Sequence, residues 1–179
     1  LIDYKYLIAE EQLELEVIDE ENKLHKIQLD KDLDDDLGLV FKEVLFDGLK
    51  QCNNHCSFCF IDQQPKGHRS TLYLKDDDYR MSFLYGSYLT LTNLKQKDWQ
   101  RIEQQRLSPL FVSVHSTDSN LRSLLLKNKK AGLIMKQIQW FSERKLQLHA
   151  QIVVCPDLND SENLEKTLND LYLYSQSDW

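Results

Sequence analysis

A mixed α/β chain is what the sequence predicts, with a β-hairpin first and then short parallel strands separated by helices. Three observations carry this expectation. Apolar residues alternate with polar ones in two neighbouring runs near the start. Beyond residue 41 the rhythm changes to short apolar runs followed by stretches of helical period. Polar residues collect at the ends of those runs, where folds of this kind place their chemistry.

The elements follow in order. Leu1, Tyr4, Leu7 and Ile8 recur at helical spacing and predict an opening helix. Leu13, Leu15 and Val17 alternate with glutamates, and His25, Ile27 and Leu29 alternate again after a polar break, which predicts the hairpin. Five aspartates between Asp30 and Asp36 read as a solvated acidic connector, because the spacing and closing glutamate of a calcium loop are missing. A boundary is expected near residue 41, dividing the chain into 1–41 and 42–179. Residues 44–46, 89–92, 110–115 and 150–155 are the four expected strands. Asn93 is expected to cap a helix carrying Trp99 and Ile102, and residues 116–118 a helix with Leu121, Leu124 and Leu125. Ile134, Ile138 and Phe141 form a further helical stripe. Asn159 and Glu162 resemble a capping box before Leu164, Leu168 and Leu171. Strands separated by helical crossovers imply parallel pairing, in an open sheet or a barrel.

Composition limits the function classes. Of 179 residues, 41% are apolar and 28% charged, as in a globular chain. No apolar run approaches the ~20 residues of a membrane span and no leader peptide opens the chain, so a cytoplasmic location is expected. With 22 basic against 29 acidic residues the net charge is −7, which disfavours a general nucleic-acid surface. A start at Leu1 suggests a fragment of a longer product.

"CNNHCSFCF", residues 52–60, holds three of the four cysteines. Clustered cysteine without a spread of paired partners points to metal or catalysis rather than to a disulfide scaffold. Cys52, Cys56 and Cys59 can converge on one inorganic object just after a strand. A structural zinc ion wants four protein ligands, and His55 or the distant Cys155 would have to complete it. An iron–sulfur cube on three cysteines leaves one iron open to a substrate or cofactor. Both readings stand on the residues alone.

CxxxCxxC with Phe58 before the last cysteine resembles the signature of radical S-adenosylmethionine (SAM) enzymes. The stretch from "CNNHCSFCFIDQQPKGHRS" to "YLTLTNL", with the later "HAQIVVCPDLND", is similar to bacterial domain-of-unknown-function 512 iron–sulfur oxidoreductases, which begin with a PDZ-like segment. The resemblance implies a partial (β/α) barrel, about four of the usual six units, preceded by the hairpin as the end of a PDZ-like domain. It implies a 4Fe–4S cluster on Cys52, Cys56 and Cys59, with SAM on the fourth iron. Reductive cleavage of SAM would yield a 5′-deoxyadenosyl radical that acts on an unknown substrate, with electrons from a donor protein or reductant. Phe58 would lie near the adenine. Thr90, Thr92 and Asn93 occupy the place of the glycine- and acid-containing turn that binds the SAM amino group, without its acidic residue.

Smaller expectations attach to other residues. Ser113 and His115 alternate with Val112 and Val114, so they face either the barrel interior or a strand-end hydrogen bond. Gln151 is expected on the same face, and Asn159 at the cap. Cys155 is expected to be a buried, inert thiol. Lys66, His68 and Arg69 offer a basic loop to an anionic substrate or simply to solvent. The run from Lys75 to Tyr79 predicts a helix start or a salt-bridged turn. A zinc-stabilised binding module, and a PDZ-like interaction protein that recruits a peptide partner, are the competing functions.

Overall fold

The computed structural model describes residues 1–175. It divides into two compact units, Leu1–Gly48 and Leu49–Trp179. The division falls after Gly48, whereas the sequence rhythm changes after residue 41.

In the first unit, helix α1 (Ile2–Leu7) buries Ile2, and Ile8 just beyond it is also buried. Leu7, expected on the same stripe, points to solvent. Strands β1 (Gln12–Ile18) and β2 (Leu24–Asp30) pair antiparallel, and Leu13 meets Leu29, Leu15 meets Ile27, and Val17 meets His25. The two alternating sets therefore share one face, as the pattern required. Asp19 makes the turn: its carboxylate accepts the Glu21 and Lys23 N–H groups, while Asn22 takes a left-handed φ of 61°. Residues 44–46 do not form the expected strand. The Phe46 ring instead packs on Phe41, which packs on Tyr4.

The second unit begins with an extended segment that runs beside residues 75–77. Gln51 bridges Asp76, the Cys52 N–H donates to Lys75 O, and the Asp77 N–H to Lys50 O. Helix α2 (Tyr79–Tyr85) starts at Asp78, whose carboxylate accepts the Arg80 N–H and pairs with its guanidinium. It stops at Gly86, where φ is 74°. Three adjacent aspartates thus have three uses: Asp76 bridges through its backbone, Asp77 serves the strand end described below, and Asp78 caps. Helix α3 (Gln96–Gln104) starts two residues later than expected, with Lys95 in the cap position and the Asp98 carboxylate accepting the Lys95 N–H.

Strand β3 (Leu110–Ser113) leads to α4 (Ser119–Leu126), capped by Asp118 through the Leu121 N–H. Helix α5 (Ile134–Glu143) buries Ile134, Ile138 and Phe141 as its stripe requires. Strand β4 (Leu148–Gln151) pairs parallel with β3, Leu110 opposite Leu148 and Ser113 opposite Gln151. Residues 152–155, expected to continue it, lie outside the strand. Leu89 alone joins β3 on its other side, as a parallel bridge to Val112. Among the described residues this is a small open parallel sheet, and a barrel is not formed. Helix α6 (Ser161–Ser175) buries Thr167, and Leu168 of its expected stripe is exposed. Asn159 does not cap it.

Candidate functional site

The cysteine loop is held at several points before any metal is considered. Its Cys52 N–H is bonded to Lys75 O at 2.8 Å, and its His55 N–H to Leu126 O at the end of α4 at 3.1 Å. Cys59 N–H closes a turn on Cys56 O. Cys56 and Phe58 pack against Leu125, Leu126 and Ala131, so one side of the loop is closed by apolar groups. All three cysteines are free and partly buried. Burial pushes the Cys52 thiol up, and pushes Cys56 up to about 11, with the negative charges of Cys52 and Cys59 adding to it. Negative charges on three partly buried thiolates of one loop favour a positive centre beside them. The Lys75 ammonium answers part of this need: it donates to Asn54 O at 3.0 Å and pairs with Asp62 at 2.8 Å.

Asn54, inside the loop, joins it to the end of the Leu89 strand. Its side chain is 1% exposed. Nδ2 lies 3.2 Å from Cys52 Sγ, 2.9 Å from Thr90 Oγ1 and 3.1 Å from Thr92 Oγ1. Behind the threonines stands Asp77, also 1% exposed, which accepts the Thr90 hydroxyl at 2.7 Å and the Thr90 N–H. Burial raises the Asp77 carboxyl, and the two Thr90 bonds oppose it. The sequence shows no acid in "TLTNL" itself; the structure brings one there from residue 77. Asn93 donates to Gln51 O and Asp77 O, and among the described residues its buried Oδ1 has no partner.

His115 and Ser113 complete the floor. Ser113 donates to Gln151 Oε1 at 3.3 Å, a strand-end hydrogen bond between the two strands. The His115 ring meets Phe58 edge to face at 4.8 Å, and its Nδ1 accepts the Val153 N–H at 3.1 Å. That acceptor role puts the proton on Nε2. Burial, helped by the Arg122 charge, lowers the His115 pKa to about 4, so the ring is neutral at pH 7.

Arg122 lies beneath, fully buried. Its guanidinium donates to Val114 O at 2.8 Å, Ala131 O at 2.6 Å, Thr90 O at 3.0 Å and Ser113 O at 2.7 Å. Burial lowers its pKa to about 10, and the charges of Asp77 and Cys56 hold it from falling further. One cation thus ties two strand ends and the turn after α4 beneath the cysteine loop.

Other expected residues fall elsewhere. Asn159 is a staple: it accepts the Cys155 N–H at 2.7 Å and donates to His115 O and Val153 O. Cys155 is partly exposed rather than buried. Lys66, His68 and Arg69 are exposed. A cavity of about 360 Å³ lined by Val112, Val114, Ile138, Phe141 and Leu171 takes the side of β3 that alternates with Ser113 and His115, so it is not part of this site.

Sequence reasoning missed Asn54, Asp77, Lys75 and Arg122. Arg122 carried a signal: it stands three and four residues before Leu125 and Leu126, in register with the buried stripe of α4. The others have partners too distant in sequence for any local pattern.

Among the described residues, no three His, Cys, Asp or Glu side chains are gathered to hold one metal ion. A cube asks for a different arrangement, since each thiolate reaches a different iron. Three free, partly buried cysteines on one pinned loop supply the three thiolates of that donor set. The unpartnered Asn93 Oδ1 and the Thr90 and Thr92 hydroxyls are acceptors of the kind an ammonium group needs.

The family model of the radical SAM-like domain matches residues 31–177, and the chain belongs to this family. No curated protein and no solved structure matches the chain. No helix among the described residues is long and apolar enough to cross a membrane.

Proposed function

We propose that this chain carries the cluster and SAM site of a radical SAM iron–sulfur enzyme. Cys52, Cys56 and Cys59 hold a 4Fe–4S cluster, and Thr90, Thr92 and Asn93 receive the SAM amino group, with Phe58, Ser113 and His115 on the adenosine side. One observation supports this most: Asn54 binds Cys52 Sγ and both threonine hydroxyls, so the ligand loop and the strand end are built as one unit. The cluster, when bound and reduced, supplies the electron that splits SAM into methionine and a 5′-deoxyadenosyl radical.

The chain's own residues prepare that chemistry. Cys56 and Phe58, packed on Leu125, Leu126 and Ala131, keep water from one side of the loop. The neutral His115, locked by the Val153 N–H, presents a ring and no charge to Phe58. Lys75 and the buried Arg122 set positive charge around sulfurs that a cluster makes negative. In the same reading Leu89, β3 and β4 belong to a partial barrel of βα units. The first unit is the end of a PDZ-like segment open to a peptide partner, and the whole resembles a cytoplasmic oxidoreductase of the domain-of-unknown-function 512 type, served by an external electron donor.

Anaerobic reconstitution with iron and sulfide tests the core of this. Expected are about four irons per chain, an EPR signal on reduction that changes when SAM is added, 5′-deoxyadenosine among the products, and loss of all three in Cys56→Ala. Stoichiometric zinc without iron in strictly anoxic protein would overturn it.

A further inference from the structure

A primary amide has two N–H groups, and Asn54 Nδ2 has three acceptors in reach: Cys52 Sγ and the Thr90 and Thr92 hydroxyls. The hydroxyls have alternatives. Thr90 Oγ1 donates to Asp77 Oδ2 at 2.7 Å, and Thr92 Oγ1 lies 3.2 Å from Asn53 Oδ1. A metal-bound thiolate, by contrast, has lone pairs and no proton of its own. On the far side of the amide, Asn128 Nδ2 donates to Asn54 Oδ1 at 2.8 Å, which fixes the oxygen there and the nitrogen toward the sulfur. The donor side of the contact is buried, Asn54 being 1% exposed. A hydrogen bond to a ligand sulfur stabilises the more negative, reduced cluster over the oxidised one, and burial strengthens it.

Resting on the cluster reading above, we propose that Asn54 is a positioning residue that sets the cluster's reduction potential: its N–H···S bond to Cys52 raises the potential and so makes the cluster easier to reduce. The residue is already placed by the protein, so the bond needs no rearrangement when an electron arrives. Asn128, whose amide bonds Asn54 Oδ1 and Asn53 Oδ1, acts on the couple only by keeping the Asn54 amide in place.

The test is an EPR-monitored redox titration of reconstituted wild type, Asn54→Leu and Asn128→Ala. Leucine keeps the size and neutrality of the amide and removes both donors. Expected in Asn54→Leu is a reduced-to-oxidised ratio about tenfold lower at a fixed solution potential, a shift of about 59 mV to the negative for a one-electron couple. Asn128→Ala loosens the amide without removing its donors, and shifts the potential by less than half as much. A potential in Asn54→Leu equal to wild type overturns the proposal, as does an equal shift in both variants, which would mark a merely structural role. Pulsed EPR of reduced wild type labelled with ¹⁵N in asparagine covers the case in which Asn54→Leu does not fold. A hyperfine coupling from asparagine nitrogen is expected, and its absence rejects the bond. Failure of wild type to assemble any cluster rejects the enzyme reading itself, a result distinct from an assembled cluster with an unmoved potential.

Discussion

The β1–β2 hairpin and the β3–β4 pair are held by opposite means. The hairpin strands are seven residues long and close on a regular ladder, while Val17, Ile18, Leu24 and Ile27 remain exposed. The parallel strands are four residues long, β3 buries Leu110, Val112 and Ser113 while β4 is at most half-buried, and much of the backbone around them is bonded to side chains. Thr90 gives its N–H to Asp77 and its carbonyl to Arg122; Val153 gives its N–H to His115 and its carbonyl to Asn159. A ladder holds a strand but leaves its ends ordinary. Side-chain straps shorten the strand and fix its end in one shape, which is what a site requires.

Arg122 is the strap whose loss should separate the two regions most. Arg122→Met keeps the stem and removes donors to four carbonyls, leaving buried acceptors without partners. A cost of about 3–5 kcal/mol is expected in the second unit, in the range for breaking a buried charged network. Urea unfolding followed by Trp99 and Trp140, which touch at 4.8 Å in the second unit, reads it. Hydrogen exchange of the β1–β2 amides should not change. A midpoint unmoved in Arg122→Met would show that the carbonyls find other partners.

His115 gives the next effect, and it depends on pH. Its pKa is about 4 in the folded chain against 6.5 for the free residue. Above pH 6.5 both states are neutral and the ring costs nothing. As pH falls from 6.5 toward 4 the unfolded chain takes a proton that the folded chain refuses, so stability falls with pH and levels off below about 4. The full span is about 3 kcal/mol. His115→Gln should remove that slope, while leaving acid effects on the carboxylates of the hairpin as they are. An unchanged slope between pH 6.5 and 4 would assign the acid sensitivity to other groups.

The same contrast explains how much the sequence made legible. Alternation in residues 13–17 and 25–29 gave the hairpin and its facing pairs, because a ladder uses every residue alike. In the second unit the run at 110–115 forms a strand over Leu110–Ser113, but the runs on either side of it were placed wrongly or too long. Residues 89–92 alternate, yet the ladder is one bridge long, since Asp77 and Arg122 claim Thr90 and Leu91 turns to a φ of 61°. Residues 150–155 are rich in β-branched groups, yet His115 and Asn159 take their backbone partners. The cysteines were legible because their spacing is local. Asn54 and Asp77 were not, because their partners lie far along the chain, as in the Asn54–Thr90 separation of 36 and the Asp77–Thr90 separation of 13, and Arg122 was marked only by its place in the α4 stripe.

The smallest expected effects come from one substitution made in both regions. Val112 in β3 is 0% exposed and Val17 in β1 is 42% exposed. Valine to threonine keeps the branched shape and the strand preference, and exchanges a methyl for a hydroxyl. In Val112→Thr the hydroxyl enters the apolar layer of Ile138 and Phe141, at a cost of about 1–3 kcal/mol, read by the Trp99 and Trp140 signal. In Val17→Thr it meets water opposite His25, and a change within about 0.5 kcal/mol is expected, read by exchange of the hairpin amides. Equal costs at the two positions would mean that Val17 is covered in the folded protein, and that the hairpin, like the parallel strands, depends on burial rather than on its ladder.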